Sequence, residues 1–145
     1  MFSENDTVKI LRECDSGVKM SVDSLHDAAD RADNEELRDM LRGSIAEHEQ
    51  IGREIREMLD EKHAPGKEPG VIASAMSKMK INAKMMIDNG DETTARLMYD
   101  GCTMGVEKLS EYVNMYPHAE PKAKNAAEKL IKCEQRLADE LRQYL

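Results

Sequence analysis

A chain of 145 residues with 29 acidic and 21 basic side chains, and a formal net charge of −8, is poorly suited to gripping a phosphate backbone, which is held mainly by Lys and Arg. Its length fits one domain, and 40% hydrophobic with 34% charged residues is the composition of a globular protein rather than a disordered one. No window approaches the roughly 18 apolar residues of a membrane span. MFSENDTVKILRE lacks the basic-then-apolar pattern of a leader, so a soluble, cytoplasmic protein is expected.

Apolar residues recur at helical spacing almost throughout, with no convincing period-two strand, so the chain reads as all-α. With no Trp, and Phe2, Tyr99, Tyr112, Tyr116 and Tyr144 as the aromatics, the core must be aliphatic, supplemented by Ala and Met. Val8, Leu11, Val18, Val22, Leu25, Ala29 and Ala32 step by threes and fours, interrupted at Asp15, and predict a first helix over 6–32. In DNEE, Asp33 can cap a new helix and Glu36 can reach back to it. Leu37, Leu41, Ser44, His48, Ile51, Ile55 and Met58 then carry a second helix over 34–62. With almost nothing between them, the two helices must form an antiparallel hairpin.

HAPGKEPG, residues 63–70, is the clearest break, because Pro lacks an amide donor and Gly leaves a helix at little cost. VIASAMSKMKINAKMMID follows, and a short helix over 71–88 is expected there. Its stripe is Ile72, Met76, Met79, Ala83 and Met86, with Lys78, Lys80 and Lys84 falling away from it. The Met residues suit gap-filling packing. The lysine face either lies over an acidic bundle or is free for a partner. Copper binding by thioethers is disfavoured, since Met85 and Met86 do not share a face and no His joins them.

In DNGD, Gly90 can take a left-handed conformation and Asp91 can cap the next helix. That helix, over 92–116, carries Met98, Cys102, Gly105, Leu109, Tyr112 and Tyr116 on its stripe. Pro117 ends it and Pro121 suits the first turn of a last helix over 120–144, stepping through Ala123, Ala127, Leu130, Glu134, Leu137, Leu141 and Tyr144. GCTMG, residues 101–105, is a small-residue pattern that permits close approach by a neighbouring helix.

Long helices, two tight hairpins and one long connection describe a four-helix bundle with a single crossover. Helix two would be about 43 Å long and a helical 71–88 would return about 27 Å of that, so helices two and three would run parallel. Two stretches, ADNEELRDMLRGSIAEHEQIGREIREML and GVIASAMSKMKINAKMMIDNGDETTARLMYDGCTMGVEKLSEYV, resemble the second-helix and crossover-plus-third-helix segments of a bacterial ferritin-like family of four-helix-bundle proteins of unknown function. The resemblance implies a ferritin-like bundle and no established activity.

It also raises the question of metal. Ferritin-like di-iron proteins place one Glu on each of two helices and Glu-x-x-His on each of the others. Here helix two reads Ile45-Ala46-Glu47-His48 and helix four Ile131-Lys132-Cys133-Glu134, so most of that set is missing. Asp15, His48 and Glu134 nevertheless interrupt the apolar seams, with Glu107 beside the third. Their levels along the bundle span roughly 12 Å, so a common cluster needs a favourable stagger. Such a cluster would take Fe, Mn or Zn. On the plainer reading no cofactor is bound, His48 bonds a neighbouring carboxylate or backbone group, and Asp15 and Glu134 lie near bundle edges or reach water.

His26 with Asp23, Asp27 and Asp30 reads as solvated surface, and His63 and His118 sit in breaks. Cys14, Cys102 and Cys133, without CxxC spacing, read as reduced, buried thiols. Ser24, Ser44 and Ser110 lack the setting of a catalytic nucleophile.

Three functional readings follow. The first is a non-enzymatic bundle acting through protein contacts, as a homodimer or with another partner. The second is a metal-binding bundle with a degenerate di-metal site. The third is membrane-surface binding through the basic Met-rich segment, opposed by the acidity of the rest of the chain.

Overall fold

The computed structural model of the chain describes residues 1–70 and 90–145. Among them are four α-helices and no strand: α1 (Glu4–Arg31), α2 (Glu35–Glu61), α3 (Gly90–Met115) and α4 (Pro121–Leu141), the last followed by a short 3₁₀ turn over Arg142–Tyr144. The expected crossover helix and its lysines Lys78, Lys80 and Lys84 lie outside the described residues.

The helix ends have local causes. Ser3 caps α1, its Oγ accepting from the Asp6 amide at 3.2 Å. The cap of α2 is Asn34 rather than the expected Asp33, with Asn34 Oδ1 accepting from the Leu37 amide at 3.0 Å. Asp33 is exposed, and its backbone amide is taken by another helix. Asp91 Oδ1 accepts from Asp33 N at 2.8 Å and Oδ2 from Asn34 N at 2.9 Å. Asp91 therefore bonds the start of the neighbouring α2 rather than capping its own helix as expected, and α3 begins at Gly90, two residues before the expected start at 92, with φ +52° at Gly90.

At the other end of α2 the stop is made by His63, at φ +54°, a conformation more usual for glycine. Its amide donates to Asp60 O at 3.0 Å and that of Ala64 to Leu59 O at 3.0 Å, the paired bonds of a Schellman ending, with Pro65 next.

Two sets of end contacts establish the topology. The start of α3 is bonded to the α1–α2 turn through Asp91, so α3 begins where α2 begins. At the opposite end the α3–α4 turn meets the start of α1 and the end of α2: Ser3 N donates to His118 O at 2.7 Å, Glu120 N to Thr7 Oγ1 at 2.8 Å, and Lys62 pairs with Glu120 at 2.7 Å. Helices α2 and α3 are thus parallel, as expected, and the chain between Lys62 and Gly90 joins opposite ends of the bundle. Helix α1 packs on α2, α3 and α4, and α4 also packs on α2 and α3.

The core falls into two apolar clusters. One is built around Ile10, Leu11, Val18, Ile55, Leu59 and Leu130, the other around Leu25, Leu37, Leu41, Met98, Leu137 and Leu141. Between them α1 contributes residues 18 to 25, α2 residues 45 to 51, α3 residues 102 to 109 and α4 residues 133 to 137. Within those four intervals stand Ser21, His48, Gly105 and Glu134. A polar layer accordingly crosses the bundle where the two clusters meet.

Candidate functional site

His48 is fully buried on the inward stripe of α2, and its ring is fixed from both sides. Nδ1 lies 2.7 Å from the backbone oxygen of Ser44, one turn back, and 3.3 Å from Ser44 Oγ. A carbonyl oxygen only accepts, so Nδ1 carries a proton and donates it. Nε2 lies 2.6 Å from Glu134 Oε1 of α4, short enough for a charge-assisted bond. Glu134 is itself buried and takes a second bond from Ser21 Oγ of α1 at 3.1 Å. Helix α3 supplies space: a side chain at Gly105 would start 3.5 Å from Glu134 Oε2.

Burial opposes a charged imidazole here. The hydrogen bonds with Cys133 and Glu134 and the Glu134 charge outweigh it and raise His48 well above its ordinary range, so the pair is an imidazolium facing a carboxylate. The same carboxylate acts on its other neighbour: Cys102 is held protonated, pushed up first by burial and then by the Glu134 charge and hydrogen bond.

Cys133, next to Glu134, is also buried but borders polar atoms. Its thiol donates to Glu47 Oε2 at 3.5 Å, and the sulfur lies 3.6 Å from His48 Nδ1. Glu47 is paired with Arg136 at 2.7 Å on the exposed α2–α4 surface. The Arg136 hydrogen bond lowers the Glu47 carboxyl below its usual value against the opposing effect of burial.

Of the residues singled out in the sequence, His48 and Glu134 are brought together. Asp15 and Glu107 do not join them. Asp15 is fully buried but on the other side of the layer, where Oδ2 pairs with Lys19 at 2.9 Å and accepts from the Lys67 amide at 2.9 Å. There it holds the segment leaving α2: Lys19 also reaches Glu68 at 3.0 Å, Lys67 pairs with Glu13, and a Cβ on Gly66 would lie 2.5 Å from Asp15 Oδ2. Glu107 is exposed. Neither Asp15 nor Glu134 is exposed to water, contrary to the plainer expectation: Glu134 pairs with the buried His48, and Asp15 with the half-buried Lys19 and the Lys67 amide. His26 is exposed, and its neighbour Asp27 pairs with Arg31 at 3.2 Å.

Among the described residues no group of three or more His, Cys, Asp or Glu is arranged to hold a metal ion. No described helix is long and apolar enough to cross a membrane. The contributions of Ser21, Ser44, Cys102 and Cys133 were not foreseen. The one available signal was Ser44, one helical turn before His48 on the same stripe.

The fold and site define a helical bundle whose two apolar halves are separated by a layer containing a buried His–Glu pair. Residues 6–114 match the family described as a domain of unknown function, DUF2383, and the chain belongs to that family. The match includes Ser21, His48 and Cys102 and ends before α4, which carries Cys133 and Glu134. No curated protein and no solved structure matches the chain.

Proposed function

We propose that this protein is a ferritin-like bundle in which the position of a metal centre is taken by a self-satisfied His–Glu pair, and that it acts through contacts with protein partners rather than by catalysis. The observation that carries this reading is the 2.6 Å bond between His48 Nε2 and Glu134 Oε1. Two atoms bound to one metal at about 2.0 to 2.2 Å stand further apart than that, roughly 3.3 to 3.6 Å in a tetrahedral site. The spacing suits a shared proton. With Nδ1 committed to Ser44 and Oε1 to both His48 and Ser21, the donors are already engaged.

Support for contacts comes from the surface. Met104 and Met115 of α3 are exposed, and a narrow cavity of about 50 Å³ opens between α1 and α3 beside Met20, Met104 and Gly105. The three thiols form no disulfide, which suits the reducing cytosol. A second copy of the chain is the first partner to examine. Light scattering over a wide concentration range, combined with photocrosslinking from positions 104 and 115, should reveal a specific self-contact or a defined partner. A strict monomer that yields no specific crosslink, either pure or in its native lysate, refutes the proposal.

The metal-binding reading retains one favourable observation, the convergence of an imidazole, a carboxylate and a thiol at one level of the bundle. It requires Glu134 to swing away from His48, and Fe, Mn or Zn bound in proportion to protein would establish it.

A further inference from the structure

The Glu134 carboxylate is engaged on one side only. Oε1 meets His48 and Ser21 at 2.6 and 3.1 Å, whereas among the described residues no N–H or O–H reaches Oε2. The one further donor to this carboxylate is the Cys102 thiol, which donates weakly. Glu134 is only 4% exposed, so bulk solvent does little for that oxygen, and a buried acceptor without a donor is costly.

That oxygen borders an open space. Glu134 lines the cavity of about 50 Å³ between α1 and α3 together with the buried Leu25, Met98 and Leu137, and the more exposed Met20 and Met104 stand toward its mouth. Glycines on both helices keep the space clear. A Cβ on Gly105 would stand 3.5 Å from Oε2, and one on Gly17 would meet no described atom within 4 Å. A water needs about 10 to 15 Å³ of such space, so about three to five non-hydrogen atoms fit, and a longer chain must leave through the mouth.

The walls select the chemistry of the occupant. Hydrocarbon and thioether surfaces favour an apolar body, and Oε2 favours a hydrogen-bond donor at its inner end. The Glu134 charge is already met by the His48 imidazolium, so a neutral hydroxyl completes the bonding without changing the charge. An ammonium would instead bury a second positive charge beside a pair that is neutral as it stands.

We propose that this cavity binds neutral aliphatic alcohols, with the hydroxyl donating to Glu134 Oε2 and the chain running out past Met20 and Met104. The proposal rests on the His48–Glu134 pair being closed to metal, as read above, and needs no protein partner.

The test titrates the full-length protein, isotope-labelled at its methionine methyls, with n-hexanol and follows the methyl resonances. Those of Met20, Met98 and Met104 should shift to saturation with one site per chain, while those of Met40 and Met58 on α2 stay fixed. Pentyl methyl ether, of equal size but without a donor, and n-hexylamine should each bind at least about tenfold more weakly. Gly105→Ala places its methyl at an ordinary contact distance from Oε2, so it should melt no lower than the parent yet weaken n-hexanol by about tenfold. Gly43→Ala, on α2 outside this cavity, should bind as the parent does. The proposal is overturned by the absence of a saturable shift in metal-free protein, by an ether or amine that binds as tightly as the alcohol, or by undiminished binding to Gly105→Ala. Metal found in the same sample in proportion to protein would overturn the reading of the pair as well, which the other outcomes leave standing.

Discussion

Replacing Glu134 by Met removes half of the buried pair while preserving side-chain length, and the consequence can be worked through from the contacts. His48 would keep only the Ser44 oxygen as acceptor and would carry a positive charge with no counter-charge, or else give up its proton. Ser21 is half-buried and can turn its hydroxyl to water, so its loss matters little. Breaking a buried pair by removing one partner costs about 3 to 5 kcal/mol, whereas replacing both partners by apolar groups of similar volume is about neutral or stabilising. Domains of this kind hold only about 5 to 15 kcal/mol in total, so the single change is severe. We expect E134M and H48L each to lose about 3 to 5 kcal/mol in urea unfolding followed by far-UV circular dichroism. At about 2 to 4 °C per kcal/mol, each should melt about 10 °C lower. The double variant H48L/E134M should recover most of that loss; a double loss near about 1 kcal/mol against two single losses of about 3 to 5 kcal/mol gives an interaction energy of about 5 to 9 kcal/mol between the sites. If the single variants cost under about 1 kcal/mol and their effects simply add, the two side chains do not depend on each other and the reasoning fails.

The same pair should respond to pH. His48 holds its proton more tightly in the fold, up to about 10, than its ordinary value of 6.5, so its contribution is complete below 6.5 and fades as pH climbs toward 10. The groups facing it are Glu134, Ser44 and Cys133, with Glu47, Ser21 and Cys102 beyond; Cys14 and Cys102 begin to weigh against the fold only above their ordinary 9.0. The stability advantage of the parent over H48L should therefore shrink between pH 6.5 and 9, and a constant difference across that window would contradict the assignment. Gly66→Ala places a methyl against Asp15 Oδ2 and breaks its bond to the Lys67 amide, so unfolding should show a loss of about 1 to 3 kcal/mol. Combined with Asp15→Asn it should add little more, since both changes strike one contact. Gly52→Ala would set its Cβ 2.9 Å from Val18 Cγ1 where α1 and α2 meet, and calorimetry should register an overpacking cost of about 1 to 3 kcal/mol. Asn34→Ala should cost about 1 kcal/mol through loss of the α2 cap, while Asp33→Ala, which keeps its backbone amide, should cost less.

The helices were legible because their stripes are long and their breaks are marked by Pro, Gly or a capping residue. The pattern is ambiguous where neighbours compete for one task. Asp33 and Asn34 are both good caps; Asn34 takes the role, while Asp91, distant in sequence, accepts from the backbone amides of both. His63 carries no spacing signal, yet it takes a left-handed position more usual for glycine.

The polar seam was legible as a set of interruptions, but not as a set of partners. His48 and Glu134 are 86 residues apart, and their meeting depends on the stagger of α2 against α4, which no local pattern encodes. Asp15 looked like a member of the same set because it breaks the same kind of stripe. Its burial is instead resolved by Lys19 and by the backbone of a loop 52 residues away. Glu107 lies beside the seam in the stripe of α3, but among the described helices α3 packs mainly on α1 and α4, and that side chain is in solvent. Cys133 read as a small apolar residue, and its face does point inward. The sequence carries no mark of the carboxylate and imidazole that reach its sulfur from α2.

Elemental analysis of protein purified from its native host without chelators tests most directly whether the bundle interior is closed by its own side chains. We predict Fe, Mn and Zn far below one equivalent per chain, and no change in metal content between the parent, H48Q and E134Q. A full equivalent of one metal in the parent that disappears in both variants would contradict the account.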